Sequence, residues 1–181
     1  MVIRLGTSGK DTLTGGKESD ILYGEDSNDI IKGVEGEDII GGGAGDDTLT
    51  GGAETDYFVF SSDEGIDTVS DFSEEDQIVI DELGFDATST DQFSYDNDTG
   101  ELSFDASPDD SIAAVPFASL PLNLGSAFDA KENIILPSAD SDIVTATGSN
   151  GGSIVNSFND DFSNIDTNGK DFFADPLIVD L

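Results

Sequence analysis

Large apolar side chains recur at an interval of nine along residues 6–59: Leu13, Leu22, Ile31, Ile40, Leu49 and Phe58. Each is the middle of a three-residue stretch, and six polar or glycine residues separate one stretch from the next. In frame, the chain reads GTSGKDTLT, GGKESDILY, GEDSNDIIK, GVEGEDIIG, GGAGDDTLT and GGAETDYFV. Self-similarity at a fixed period is the mark of a repeat architecture. A three-residue strand turns its central side chain to one face. The six intervening residues reverse the chain, so consecutive strands fall in two facing sheets. Two nonads then form one coil of eighteen residues, and coils stack at the strand spacing, about 4.8 Å.

Past Phe60 the frame of nine is lost. GIDTVSDFSEEDQIVI at 65–80 predicts the start of a cap, since a stack of coils otherwise ends on bare apolar side chains and open strand edges. FSYDNDTGELSF at 93–104 predicts a hairpin, with Gly100 supplying the positive φ of its turn. Its acids lack the spacing and the distal Glu of an EF-hand. Ile112 to Val115, Phe117 to Leu120 and Ile134 to Leu136 predict further short strands, with Pro116 and Pro121 marking edges. The Ser-, Asn- and Gly-rich stretch 137–163 predicts a flexible linker. The organisation expected is a repeat domain over 1–64, a β-rich capping region over 65–136 and a tail over 137–181.

Two other columns run through the repeats. Position one is always glycine, at Gly6, Gly15, Gly24, Gly33, Gly42 and Gly51, and position six is always aspartate, at Asp11, Asp20, Asp29, Asp38, Asp47 and Asp56. Stacking puts Asp11, Asp29 and Asp47 on one edge and Asp20, Asp38 and Asp56 on the other. Closely spaced buried carboxylates do not coexist as anions without cations between them. Carboxylate and carbonyl oxygens, six or more in a flexible loop, suit Ca²⁺ better than the smaller, octahedral Mg²⁺. Asp67 and Asp71 are candidate ligands where the last coil closes. The expected load is about four or five ions.

These nonads resemble the glycine- and aspartate-rich calcium-binding repeats of the RTX (hemolysin-type) proteins, G-G-x-G-x-D-x-U-x. The resemblance implies an all-β fold, a right-handed parallel β-roll followed by an antiparallel β cap, with loop carbonyls and the position-six aspartates as ligands. Only GGAGDD at 42–47 matches the full loop pattern. Position two is Thr7, Glu25 or Val34 elsewhere, and position four is Glu18, Ser27 or Glu54, so these loops ask non-glycine residues to adopt glycine's backbone angles. The half after the repeats resembles, more loosely, the capping region of small RTX proteins of cyanobacterial type. Beyond the linker, NIDTNGKDFFAD at 164–175 reads first as an Asn-Gly turn. The alternative is a calcium loop using Asn164, Asp166, Asn168 and Asp175. The ending DPLIVDL resembles the uncleaved C-terminal signals of type I secretion.

Composition sharpens this reading. The chain of 181 residues holds 40 acidic and 6 basic side chains, a net charge of −34, with no Cys and no His. Nucleic acid is an unfit partner, because binding it means neutralising phosphates with Lys and Arg. Anionic membranes repel the chain likewise. Zinc sites of the His or Cys kind, a His base and a thiolate nucleophile are all absent. No G-x-S-x-G elbow occurs, and five residues before the first repeat leave no room for a catalytic domain there. No secretory signal or membrane span is readable at the N-terminus. The expectation is a non-catalytic, secreted or cell-surface calcium-binding protein that folds on binding Ca²⁺, in a structural or adhesive role. Two alternatives remain: a self-assembling subunit of a sheath, surface layer or filament, and an accessory module of a secreted hydrolase. Self-association or a cell-surface partner would fit the first.

Overall fold

The structure is a computed structural model that describes residues 1–61, 64–81, 85–108, 113–122, 124–125, 128–136, 143–147 and 153–157. The x-U-x triplets form the strands, and they alternate between two sheets as the period requires. One sheet stacks β1 (Ile3–Thr7), β3 (Ile21–Glu25), β5 (Ile39–Gly41), β7 (Tyr57–Phe60) and β9 (Gln77–Ile80). The other stacks β2 (Thr12–Thr14), β4 (Ile30–Glu35), β6 (Thr48–Ala53) and β8 (Asp67–Val69). All these pairs are parallel. The chain is thus a parallel β-solenoid of about four turns.

Register steps by eighteen through the first three coils, as in Ile21↔Ile39↔Tyr57. It then steps by twenty, Tyr57↔Gln77 and Thr48↔Thr68. Two extra residues between Phe60 and Asp67 hide the continuation from a search in steps of nine, and the solenoid runs on through Ile80 rather than ending near residue 64. Between the sheets the position-eight side chains form a single file: Leu22, Ile31, Ile40, Leu49, Phe58, Val69 and Ile78 are each at most 1% exposed. Burial of each contributes about 1.5–3 kcal/mol.

The cap begins with the predicted hairpin, β10 (Phe93–Tyr95) against β11 (Glu101–Phe104), with Phe93 opposite Phe104 and Gly100 at φ 79°. The strand β12 (Val115–Ser119) pairs antiparallel with β11 and parallel with β8, and β13 (Ile134–Ile135) pairs parallel with β9. The cap is therefore not antiparallel throughout. Its two strands that touch the roll extend the roll's own direction, covering both open edges. Pro116 lies inside β12 instead of marking a sheet edge. It is tolerated because β8 reaches only Ala118 and Ser119, and because the β11 register slips between Leu102 and Ser103. Phe85 meets Phe117 and Phe104 edge-to-face at 4.9 and 5.2 Å, and Phe60 of the roll meets Phe117 at 5.5 Å. This aromatic plug seals the last coil. A separate two-stranded antiparallel sheet, β14 (Ile143–Thr147) with β15 (Ser153–Ser157), stands inside the stretch that composition marks as a linker. Ile112, the 164–175 loop and the terminal DPLIVDL lie outside the described residues.

Candidate metal centre

Each position-six aspartate ends a loop and begins a strand, so its side chain is carried at the sheet edge and turned back over its own loop. The structure builds the two columns expected from the repeat. Asp11 N–H donates to Asp29 Oδ1 at 2.6 Å, Asp29 N–H to Asp47 Oδ1 at 2.6 Å, and Asp47 N–H to Asp67 Oδ1 at 2.9 Å. On the other edge Asp20 N–H donates to Asp38 Oδ1 at 2.7 Å, Asp38 N–H to Asp56 Oδ1 at 3.0 Å, and Asp56 N–H to Asp76 Oδ1 at 3.0 Å. Val2 N–H continues that column to Asp20. One carboxylate oxygen of each residue but Asp11, whose Oδ2 accepts from Thr7 of its own loop, is thereby spent on knitting coils together.

The second oxygen is not. Oδ2 of Asp20, Asp29, Asp38, Asp47 and Asp56 is buried and has no hydrogen-bond partner. A buried anionic oxygen left bare is strongly unfavourable. These five atoms face the position-one glycines of their own loops: a Cβ on Gly24, Gly33, Gly42 or Gly51 would run into the Oδ2 of Asp29, Asp38, Asp47 or Asp56. The same missing Cβ atoms on Gly15 and Gly33 would lie 2.5 and 2.6 Å from the carbonyl oxygens of Gly33 and Gly51 in the next coil. Carboxylate and carbonyl oxygens thus converge on the space beside each glycine Cα. An all-oxygen donor set of this kind fits a hard divalent cation, Ca²⁺ above all. Among the described residues no group of three or more acidic side chains converges on one point.

Position-one glycine is required here for close approach, not for positive φ. The positive φ falls at positions two and four: Gly43, Gly45, Gly36 and Gly52, but also Glu25, Ser27, Val34 and Glu54. Those four non-glycine residues are among the six departures from the loop pattern. Thr7 and Glu18 escape the strain in the first coil.

Burial pushes Asp38 up to about 7, and Asp56 and Asp67 up to about 8. The backbone N–H from the preceding coil pulls each the other way, and the neighbouring carboxylate of the column adds to the rise. Burial also raises Asp29, Asp47 and Asp76. Without a cation the columns resist ionisation.

Asp67 and Asp71 end differently. Asp67 extends the first column, buried and bonded to Asp47. Asp71 is exposed, at the place where a loop's first glycine would stand, and accepts Gly51 N–H at 3.0 Å. The residue that extends the second column is Asp76, which the period of nine did not reach. Asp76 lies nine residues after Asp67 and is followed by an apolar triplet, a signal that resumes once the two-residue insertion is allowed for. Its Oδ2 accepts Ser73 N–H at 2.8 Å.

Comparison with known proteins agrees with the geometry. The family model of the RTX calcium-binding nonapeptide repeat matches residues 5–40 and 32–69. The AlgE6R3 subunit of the Azotobacter vinelandii mannuronan C5-epimerase is similar in structure, with a TM-score of 0.55 at 25% identity over 76% of this chain and 84% of that one. The AlgE6R2 subunit of the same enzyme gives 0.51 at 25% identity over 77% and 93%. The extracellular lipase LipA of Serratia marcescens gives 0.55 at 23% identity, over 74% of this chain and 20% of the lipase, a likeness of fold alone. No curated protein matches the sequence.

Proposed function

This chain carries RTX calcium-binding nonapeptide repeats, and from that premise we propose that it is a non-catalytic, exported module whose roll folds when Ca²⁺ is bound. One observation carries the reading: five buried aspartate oxygens without partners, aimed at glycine-lined spaces between successive loops. Asp20, Asp29, Asp38, Asp47 and Asp56 would hold the ions, with the position-one carbonyls of the following coil. Bound Ca²⁺ supplies positive charge that offsets the facing carboxylates. The protein's own contribution is to position them: the Asp Oδ1 bonds lock each loop to its neighbour, and glycine leaves the space. Because the columns are opposed by burial and mutual repulsion when bare, binding and folding of the roll form one event.

This coupling suits export. A chain this acidic stays open where calcium is scarce and closes where it is millimolar. No helix among the described residues is long and apolar enough to cross a membrane. The test is far-ultraviolet circular dichroism with isothermal titration calorimetry: adding Ca²⁺ to chelator-treated protein should restore the β spectrum together with stoichiometric heat. A β spectrum unaffected by chelator at neutral pH would overturn the proposal.

A second reading, an accessory module of a secreted enzyme, is favoured by the fold shared with the epimerase subunits. It requires a catalytic domain associated with the module. Co-purification of one from the culture medium supports it, and a strictly solitary protein counts against it.

A further inference from the structure

The outer faces of the two sheets differ. On the sheet that holds β2, β4, β6 and β8 most outward residues are polar: Thr12, Thr14, Lys32, Thr48, Thr68 and Ser70 are exposed, while Ile30 and Thr50 are half-buried. On the other sheet they are apolar: Ile21, Ile39, Val59 and Val79 form a cluster separate from the central core. These four point away from the core, yet they are 6, 1, 3 and 1% exposed. Among the described residues, the apolar side chains packed against them are Ile3, Tyr57 and Ile135, all from the same sheet. Neighbours within one sheet shield a side chain laterally and leave its outward end in water. Exposure of 1% needs another layer above the sheet.

We propose that the β14–β15 hairpin is that layer, folded back over the outer face of the six-stranded sheet. The chain leaves the roll from this very face: β13 is the sheet's edge strand, and its Ile135 already packs against the buried row. Six residues lie between Leu136 and Ile143, and the seven steps they span reach about 23 Å when extended. The four strand spacings from β13 to β3, where the buried row ends, amount to about 19 Å, so the hairpin can reach the whole row. The need is mutual. A lone two-stranded hairpin is marginal in water and gains stability by packing on another layer, while the apolar face needs a layer above it. The hairpin's strands, IVTAT and SIVNS, supply apolar residues inside an otherwise polar stretch. Sheets stack about 10 Å apart, the separation such a docking would have.

The native chain has no cysteine, so single thiols report burial cleanly. With calcium saturating, I39C and V59C variants of the full chain should react with a maleimide at least about 100-fold more slowly than a T48C variant, whose site is exposed on the opposite sheet. Adding A146D and I154D, a cross-strand pair in the hairpin, should bring the I39C and V59C thiols to within a few-fold of the T48C rate. The β spectrum should persist. Fast labelling of I39C and V59C without the hairpin changes would overturn the proposal. So would slow labelling that survives those changes, or protection that appears only at concentrations where sedimentation shows a dimer, since a second copy would then be the cover. Calcium loading is measured separately, so failure here leaves the metal reading untouched.

Discussion

Asp29 and Asp47 sit one coil apart and divide the work of a single carboxylate. Asp29 N–H donates to Asp47 Oδ1 at 2.6 Å, while Asp47 Oδ2 is buried with no partner. One oxygen joins coils, and the proposed function gives the other to a cation.

Asp47→Asn therefore separates these roles. The amide oxygen can still accept Asp29 N–H, but the anionic ligand is gone. Calcium titration should show one fewer tight ion or a midpoint raised by about tenfold or more, equivalent to about 1.4 kcal/mol or more. An unchanged isotherm would remove Asp47 from the ligand set.

Asp76→Asn should weaken calcium binding as Asp56→Asn does, because Asp76 continues the same column through Asp56 N–H. Asp71→Asn, exposed and outside the column, should do less. The order of the three midpoints, read by titration calorimetry, decides whether the solenoid's last coil shares in binding.

Protonation should stand in for calcium. In the ion-free roll Asp38 is raised to about 7 and Asp56 and Asp67 to about 8, above the ordinary carboxylate range that holds in the unfolded chain. Groups raised in the folded state lend stability below their unfolded values and lose it as pH rises through the folded ones. In chelator, the β spectrum should be strong near pH 4, weaken progressively as the pH climbs and be gone by about 8, and Ca²⁺ should restore it there. Calcium binding near pH 5, where the ion-free roll is still folded with its column carboxylates protonated, should release protons, visible as a heat that depends on the buffer. A chelated protein equally β-structured at pH 4 and pH 9 would contradict this.

Val34→Gly should stabilise the calcium-loaded roll. Val34 holds φ 103°, where a β-branched residue is strained by about 1–3 kcal/mol, and it is 42% exposed, so little packing is lost. Thermal unfolding should move up by several degrees; a fall would mean that the exposed valine packs more than it strains.

Phe117→Ala empties the aromatic plug where Phe60, Phe85 and Phe93 meet. Loss of a buried Phe of this kind costs about 3–5 kcal/mol. Denaturant unfolding in saturating calcium should show the drop, and calcium should bind less tightly because the last coil loses its seal.

The sequence by itself determined the solenoid. A period of nine with one large apolar residue admits one arrangement, short parallel strands in two sheets, and the invariant aspartates must then stack into columns. That logic is local and repeats with each coil, so it can be read from letters alone. The same logic named six non-glycine residues for glycine's backbone angles; Glu25, Ser27, Val34 and Glu54 take them, and Thr7 and Glu18 do not. What tertiary structure decided lies where the repeat stops being regular. Two inserted residues before Asp67 shift the frame and conceal Asp76, whose place depends on pairing with Asp56 rather than on spacing. The direction of β12 and β13 depends on the open parallel edges they cover, and Pro116 on how far β8 reaches. The buried outer face of one sheet shows as apolar residues on alternate strands along the chain, but only packing shows that something lies over it. Periodicity encodes contacts that recur at fixed separation; contacts made once, across long separations, are settled by which surfaces remain uncovered.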